Sequence, residues 1–281
     1  MIRAYHQPTL LEEALALVSR GAIPVAGATG LYSGRSRRDV ELVDIMALGL
    51  DTLETTQTTV ELGATLTLQQ IAAASNLPGM QGALLRRCTR GVASRPLRNM
   101  ITVGGNLAHL VYWADLPVVL LALEASLEVR NAAGEVTSVP IADALRTGKR
   151  SWEGALITKV IVPRQKGVFG FGYERFVRTV TDYSLCTLCA TLRSDHGIAR
   201  DVHLVVGAAT ARPIRMQAAE AALEGQAIDD ATLAKAADCV AQELVVAPNY
   251  RAPSEYRRDL TAVLARRALA TAGLWASREE E

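Results

Sequence analysis

The first fifty residues combine one helical and two extended hydrophobic patterns. Apolar side chains recur at helical spacing after Thr9, and Thr9 with Glu12 has the spacing of a capping box. Short apolar runs at 23–26 and 40–45 have the length and composition of strands, and small residues separate them. This part of the chain is therefore predicted to form a small α/β unit.

Farther along the chain, the pattern becomes that of antiparallel sheet. Apolar and polar residues alternate as in half-buried strands at 55–62, 126–130, 136–139 and 156–162. Helices are predicted at 68–75 and from Asp115 to Leu123. After a glycine cluster at 167–172, the pattern predicts strands at 173–180, 183–192 and 202–207, then helices at 216–223, 230–242 and 255–272.

These elements predict an α+β protein with two domains. The first domain is expected to cover residues 1–168, with subdomains of about 1–53 and 54–168. The second is expected to cover 169–281, with a small antiparallel sheet and helices.

Composition narrows the classes of function. The 281 residues contain 30 Lys+Arg and 29 Asp+Glu, a net charge of +1, which argues against a nucleic-acid partner. No apolar run approaches the roughly 18 residues of a transmembrane helix, and the N-terminus lacks the apolar segment of a signal peptide. We expect a cytoplasmic protein without a transmembrane segment.

The four cysteines do not have the pattern of a metal site. Cys186 and Cys189 form a C-x-x-C, but no second pair accompanies them. They fall in a predicted strand, where residues three apart face opposite sides, so the two thiols should diverge. Neither histidine spacing nor paired carboxylates suggest catalysis, and we predict no catalytic residue and no metal site on this chain.

Two glycine-rich turns carry the candidate chemistry. Gly27 and Gly30 follow the strand at 23–26, and Gly104 and Gly105 follow Thr102. Glycine allows backbone N–H groups to converge on a phosphate. Neither turn matches G-x-G-x-x-G and neither is followed by the lysine of a P-loop, so an ordinary dinucleotide-binding fold and a P-loop are disfavoured.

The two turns occur with further motifs in a specific order. Residues 24–30 (PVAGATG), 42–45 (LVDI), 98–106 (RNMITVGGN) and 114–117 (ADLP) are followed by VGAATARP at 206–213 and YRRDLTAVLARRA at 256–268. This series resembles the FAD-binding medium subunit of the molybdenum hydroxylases, the family of xanthine dehydrogenase and aerobic carbon monoxide dehydrogenase. The resemblance covers nearly the whole chain and implies a first domain of the vanillyl-alcohol-oxidase-like (PCMH) type.

The resemblance implies a set of FAD-binding residues. The first turn should wrap the pyrophosphate with backbone N–H groups, the second should close on it with the Thr102 hydroxyl and the Asn106 amide, and Asp115 should accept from a ribose hydroxyl. Val92 and Ala93 should contact the flavin through backbone, Ile157 should pack near the ring system, and either Arg175 or Arg178 should lie near the cofactor. The full set is Ala26, Gly27, Ala28, Thr29, Gly30, Leu31, Val92, Ala93, Thr102, Val103, Gly104, Gly105, Asn106, Asp115, Ile157, Arg175 and Arg178.

The first turn departs from the family pattern. Many relatives have a second glycine where this chain has Ala28 and a polar residue where it has Gly30. The methyl group of Ala28 should be tolerated if its φ is negative. Tyr112 and Trp113 are also unusual, and could either shield the isoalloxazine or pack against a partner chain.

The resemblance implies an electron-transfer subunit. FAD would take electrons from two [2Fe-2S] clusters on a small subunit and release them to NAD, a quinone or oxygen, while a large subunit with a molybdenum cofactor acts on the substrate. The assembly would be a dimer of heterotrimers. Two alternatives remain open: a self-contained FAD-dependent oxidoreductase of the same superfamily, such as an enolpyruvyl reductase, and a flavin-free assembly subunit.

Overall fold

The computed structural model describes residues 2–30, 39–165, 167 and 169–278. They form two compact units, each assembled from several segments of the chain. The first unit contains Met1–Ser75, Ser94–Leu110 and Glu124–Pro163, and the second contains Asn76–Ala93, Val111–Leu123 and Arg164–Glu281. The domain limits expected from sequence, at residues 53 and 168, remain predictions.

Helices and strands alternate irregularly along the chain, as in an α+β protein. The strands are β1 (Ile2–His6), β2 (Ile23–Val25), β3 (Val40–Asp44), β4 (Leu53–Thr55), β5 (Thr59–Gly63), β6 (Ser126–Asn131), β7 (Val136–Pro140), β8 (Ala155–Pro163), β9 (Phe169–Phe176), β10 (Cys186–Asp195), β11 (Ile198–Gly207) and β12 (Ile214–Arg215). The helices are α1 (Leu11–Ser19), α2 (Leu68–Ala73), α3 (Gly79–Arg90), α4 (Arg95–Arg98), α5 (Val103–Ala108), α6 (Leu116–Ala122), α7 (Ile141–Thr147), α8 (Gln217–Leu223), α9 (Asp230–Glu243) and α10 (Ser254–Arg278), with a 3₁₀ helix at Gly148–Trp152.

The first unit begins with a three-stranded parallel sheet in the order β1-β3-β2. Helix α1 buries Ala14, Leu15 and Val18 in a core with Val43 and Ile45 of the sheet region. The capping box expected at Thr9 is wrong: the residue that precedes the helix is Leu10, and no side chain caps it. Thr9 lies one residue too early to reach the first free N–H groups.

The second sheet of this unit has five antiparallel strands in the order β4-β5-β8-β6-β7. Alternate residues along its strands are buried, including Val60, Leu62, Leu127 and Val160, as the sequence pattern predicts. The single strand expected at 55–62 is instead a hairpin of β4 and β5. Thr56 causes the break, because its hydroxyl accepts the N–H groups of Thr58 and Thr59.

The second unit is built on a four-stranded antiparallel sheet in the order β12-β11-β10-β9. One face packs on α8, α9 and α10 through a core that includes Cys186, Leu188 and Leu192. The opposite face carries Thr187, which bonds Asp115, and Thr191, which bonds the Ala122 carbonyl at the end of α6. The strand expected at 173–180 is shifted to Phe169–Phe176, because residues 177–185 form a loop.

Glycines allow β9 to approach α10 closely. A Cβ added to Gly170 or Gly172 would lie 1.9 Å or 1.8 Å from the carbonyl oxygens of Ala272 and Ala268. The glycine cluster is thus partly a strand packed backbone to backbone against a helix. Among the described helices, none is long and apolar enough to cross a membrane.

Candidate cofactor site

The first glycine turn leaves β2 and lies against both ends of the second. A Cβ on Gly27 would lie 1.5 Å from the carbonyl oxygen of Met100, and one on Gly30 would lie 2.2 Å from the His109 ring. Met100 comes shortly before α5 and His109 is the residue that ends it. The two turns are therefore neighbours within the first unit, and glycine is needed at position 27, where a Cβ would collide with backbone.

The first turn has N–H groups available for a ligand. In the described part of the chain, the N–H groups of Gly27, Ala28 and Thr29 donate to no protein acceptor. Ala28 has φ of 54°, in the left-handed region. Successive N–H groups around such a residue converge into a concave anion-binding arrangement. Ala28 therefore does not meet the condition of a negative φ under which its methyl group should be tolerated without strain. The expected contribution of Leu31 lies outside the described residues.

The second turn differs from the expectation in its hydrogen bonds. It forms the first turn of α5, and the Thr102 hydroxyl caps the helix by accepting from the Gly105 N–H at 3.2 Å. The N–H groups of Val103, Gly104 and Asn106 donate to the carbonyls of Leu66, Ala64 and Thr102 at 2.9, 2.8 and 2.9 Å. These N–H groups are already occupied, so the second turn does not supply the free backbone donors that its glycines suggested.

The second turn offers a ligand two features: a surface without side chains at its glycines, and the carboxamide oxygen of Asn106, which has no hydrogen-bond partner. A Cβ on Gly104 would lie 2.9 Å from the Cβ of Ala64, so this glycine permits close packing beneath the turn. The Asn106 Oδ1 atom is buried and has no hydrogen-bond partner. A buried polar atom without a partner is costly, and a ligand that completes its bonding would remove that cost. The free N–H groups of the first turn fit an anionic group such as a diphosphate, and the unsatisfied carboxamide oxygen of the second turn fits a hydrogen-bond donor, such as a hydroxyl group, on the same ligand.

Ile157 lies elsewhere in the first unit. It belongs to β8, pairs with Val129 of β6, and is only 6% exposed. Its expected contact with a flavin ring remains a prediction.

The second unit contains the remaining expected residues. Val92 and Ala93 follow α3, and the Val92 N–H donates to the Thr89 carbonyl at 3.2 Å. Ala93 also has a positive φ, 44°. The Arg178 side chain donates to the Arg251 carbonyl. These contacts hold loops of the second unit in place, and a role for these residues in binding FAD remains a prediction.

Asp115 is fully committed within the second unit. Its side chain is 1% exposed and accepts from Arg175 Nε at 2.7 Å, Ser184 Oγ at 3.0 Å and Thr187 Oγ1 at 2.5 Å. Burial raises the pKa of Asp115, and Arg175 and the two hydroxyls act against that rise. Asp115 also occupies the position before α6, where its side chain makes no capping bond.

No pattern in the sequence pointed to several residues around Asp115. Ser184 and Thr187 are ordinary residues of an alternating segment, yet both hydroxyls bond the buried carboxylate. The Tyr173 hydroxyl is buried nearby without a hydrogen-bond partner. Only the three-dimensional proximity of β9, β10 and α6 reveals this cluster.

Three aromatic side chains contact one another in series in the second unit, the first pair edge to face and the second pair tilted. The Tyr112 and Trp113 ring centroids are 4.6 Å apart, and those of Trp113 and Tyr183 are 4.5 Å apart. Tyr183 is 53% exposed. Both suggestions for Tyr112 and Trp113, shielding the isoalloxazine or contacting a partner, remain predictions.

The cysteines occupy separate environments. Cys186 Sγ lies 3.2 Å from the hydroxyl of Thr261 on α10, whereas Cys189 is on the face of the sheet that carries Thr187. The expected divergence of the two thiols is confirmed. Among the described residues, no group of three or more His, Cys, Asp or Glu side chains is arranged to hold a metal ion.

Comparison with known proteins decides the family. Residues 1–165 match the family described as the FAD binding domain in molybdopterin dehydrogenase, and residues 171–272 match the CO dehydrogenase flavoprotein C-terminal domain. The chain belongs to the FAD-binding subunits of the molybdopterin dehydrogenases. The resemblance seen in the sequence, the expected fold class and the assignment of FAD as the cofactor are thereby confirmed.

Individual relatives match this chain over nearly its full length. The chain is 30% identical over 282 aligned positions to the nicotine 6-hydroxylase medium subunit of Paenarthrobacter nicotinovorans, covering 96% of each chain. It is 26% identical to the carbon monoxide dehydrogenase medium chain of Afipia carboxidovorans, covering 94% of each. A chain of reconstituted CO dehydrogenase from Oligotropha carboxidovorans superposes with a TM-score of 0.88 at 26% identity, covering 97% of this chain and 98% of that one. The protein is thus an oxidoreductase subunit of the medium-chain type.

Proposed function

We propose that this chain is the electron-transfer subunit of a multisubunit molybdenum hydroxylase. It would receive electrons from [2Fe-2S] clusters on a small subunit and pass them to an external acceptor, which is NAD, a quinone or oxygen. A large subunit with the molybdenum cofactor would act on the substrate. The proposed assembly is a cytoplasmic dimer of heterotrimers.

The arrangement of the first unit supports this proposal most directly. The N–H groups of Gly27, Ala28 and Thr29 are available for an anion, and the neighbouring turn presents the unsatisfied carboxamide of Asn106. We propose that the three N–H groups hold the pyrophosphate of FAD and that the Asn106 carboxamide oxygen accepts a hydrogen bond from a hydroxyl group of the cofactor. FAD suits the role because it exchanges either one or two electrons, while the protein supplies position and electrostatics.

The candidate residues of the chain suit cofactor binding better than catalysis on a substrate. The polar cluster around Asp115 in the second unit is buried, and its side chains form hydrogen bonds with one another. A general acid or base must reach the proton that it transfers, and Asp115 has no such access. We therefore place the substrate chemistry on a partner chain.

The first experiment measures FAD binding by the purified full chain, using flavin absorbance and the quenching of flavin fluorescence. The wild-type chain should bind one FAD. Asn106→Ala should weaken binding by about five- to tenfold, because one hydrogen bond contributes roughly 1–1.5 kcal/mol. Asn99→Ala is the matched control, since Asn99 is an exposed asparagine of the same unit. Equal affinity of both variants would contradict the proposed role of Asn106 in the cofactor site.

The second experiment tests electron transfer. The chain is co-expressed with the products of adjacent reading frames, and bound metals and subunits are identified after co-purification. Substrate added to the intact complex should reduce FAD, which is seen as a loss of its absorbance at about 450 nm. This loss should be complete within about one turnover time. If the isolated chain turns over a substrate alone, the self-contained oxidoreductase is favoured. If the complex assembles without flavin, the assembly subunit is favoured.

A further inference from the structure

Helix α10 has apolar side chains on two of its faces. One face is buried in the core of the second unit, with Leu264 and Ala268 among the buried residues. On the other face, Tyr256, Val263 and Leu274 are 47%, 51% and 52% exposed. The second unit therefore covers one apolar face of the helix and leaves the other in solvent.

The exposed apolar residues are spaced as in a helix that packs against another helix. Positions 256, 260, 263, 267, 270 and 274, here called the α10 stripe, follow one another by alternating steps of four and three residues. These steps average 3.5 residues, so the positions line one side of the helix as the a and d positions of a coiled coil do. They carry Tyr, Leu, Val, Arg, Ala and Leu, and the first Leu also packs partly against the core. From Tyr256 to Leu274 the stripe is about 27 Å long.

Opposite charges accompany the two halves of the α10 stripe. Glu255 and Asp259 lie beside its first half, whereas Arg266 and Arg267 lie beside or within its second half. All four are exposed, and in the described part of the chain only Arg266 has an ion-pair partner, Asp230, at 4.0 Å. Asp259 and Arg267 are about 12 Å apart along the helix axis, so they cannot pair with each other within one chain.

We infer that the α10 stripe is an interface between two copies of this chain, with their α10 helices side by side and antiparallel. In that orientation the acidic half of each stripe meets the basic half of the other, whereas a parallel pair would bring like charges together. Arg258 does not change this balance, because it is turned about 200° around the helix from Tyr256. A two-fold axis across the middle of α10 makes the contact self-complementary. Tyr256, Val263 and Leu274 leave water in the same step, which favours association.

The test measures the mass of the purified full chain by sedimentation equilibrium over a range of concentrations. The wild-type chain should dimerise, and Val263→Glu, which places a charge in the middle of the stripe, should raise the dissociation constant at least about tenfold. Val245→Glu is the matched control, because Val245 is 80% exposed in the same unit but outside α10, and it should leave the constant unchanged. Circular dichroism checks that both variants keep the fold. A wild-type chain that stays monomeric up to roughly 0.1 mM, or a dimer that Val263→Glu leaves intact, would overturn the inference.

Charge reversal tests the antiparallel orientation. Asp259→Arg and Arg267→Glu should each weaken the dimer by about threefold, because each replaces an attraction by a repulsion. The double variant exchanges the two charges and should bind more tightly than either single variant. Losses that instead add in the double variant would refute the antiparallel pairing.

A different occupant of the stripe gives a different result. If the wild-type chain is monomeric and Val263→Glu prevents co-purification with the products of adjacent reading frames, another subunit covers the stripe and the inference fails. These measurements need no flavin, so self-association and the proposed binding of FAD can fail independently of each other.

Discussion

At the scale of single residues, Ala28 determines the shape of the first turn. Its positive φ brings consecutive N–H groups to one side, at the cost of a steric conflict between the Cβ and the backbone. Glycine would adopt the same conformation without that conflict. The turn thus holds an alanine in a left-handed conformation that favours glycine.

We expect Ala28→Gly to stabilise the native chain by about 1 kcal/mol, because the strain of the left-handed conformation is larger than the entropy cost of glycine. Thermal unfolding followed by circular dichroism should show a Tm about 2–4 °C higher, with FAD binding retained. Ala26→Gly is the control: Ala26 does not have a positive φ and packs against the core beside α1, so this variant should be less stable. A lower Tm for Ala28→Gly would contradict the assigned conformation.

The cysteines give a second test at this scale. Cys88, Cys186 and Cys189 are buried, and Cys239 is partly exposed. Burial raises the pKa of Cys186 to about 12 and raises that of Cys189 still further, so little reactive thiolate forms at either residue near pH 8. Iodoacetamide should label Cys239 alone in the native chain and all four cysteines after denaturation, as read by peptide mass spectrometry. Rapid native labelling of Cys186 would disagree with its location beneath α10.

At the scale of elements, the sequence predicted long periodic segments well and short, context-dependent ones poorly. Helix α10 and strands β10 and β11 have strong hydrophobic patterns, and each is present close to its expected position. Strand β1 was missed, because its partner β3 is distant in sequence and its residues are half or fully exposed. The second glycine turn was recognised, but its role as the start of α5 depends on the cap from Thr102 and on bonds to residues 64 and 66.

The contact between β9 and α10 yields a prediction for a glycine pair. Gly172→Ala would place a Cβ 1.8 Å from the Ala268 carbonyl oxygen, and backbone on both sides leaves little room to adjust. We expect a loss of about 3 kcal/mol or more in the free energy of unfolding, measured by urea denaturation. Gly91→Ala is the matched control: φ is −76° there and the nearest contact of the new Cβ is an ordinary 3.7 Å, so its stability should change by less than about 1 kcal/mol.

A native-like stability for Gly172→Ala would mean that the strand and the helix are farther apart than the structure shows.

The same variant tests whether the glycine cluster at 167–172 is a packed strand or a linker. Sequence alone suggested a domain boundary there, since clustered glycines are typical of linkers, but Gly170 and Gly172 lie within β9 and face a helix that begins about eighty residues later. A close approach of this kind is visible only in three dimensions.

At the scale of the whole molecule, the family and the fold class could be predicted from ordered motifs, whereas individual roles could not. The two glycine turns were correctly identified as neighbours by their resemblance to the family, and the structure explains the proximity through Met100 and His109. The hydrogen bonds that occupy the second turn, and the enclosure of Asp115, depend on partners that no local pattern encodes. Residue roles carried over from a family therefore need the contacts of the particular chain.

The nicotine 6-hydroxylase and carbon monoxide dehydrogenase relatives are medium subunits of multisubunit complexes. The full chain nevertheless contains both matched family regions, from residue 1 to 165 and from 171 to 272. It should therefore bind its own cofactor before it meets any partner.

The most direct test of the account compares FAD with riboflavin as ligands of the purified full chain, using fluorescence titration at the same concentrations. The central claim is that the free N–H groups of Gly27, Ala28 and Thr29 hold the diphosphate, which riboflavin lacks. The account predicts saturable binding of one FAD per chain, competition by ADP, and no measurable binding of riboflavin at concentrations that saturate with FAD. Equal affinity for FAD and riboflavin, with no effect of ADP, would contradict it.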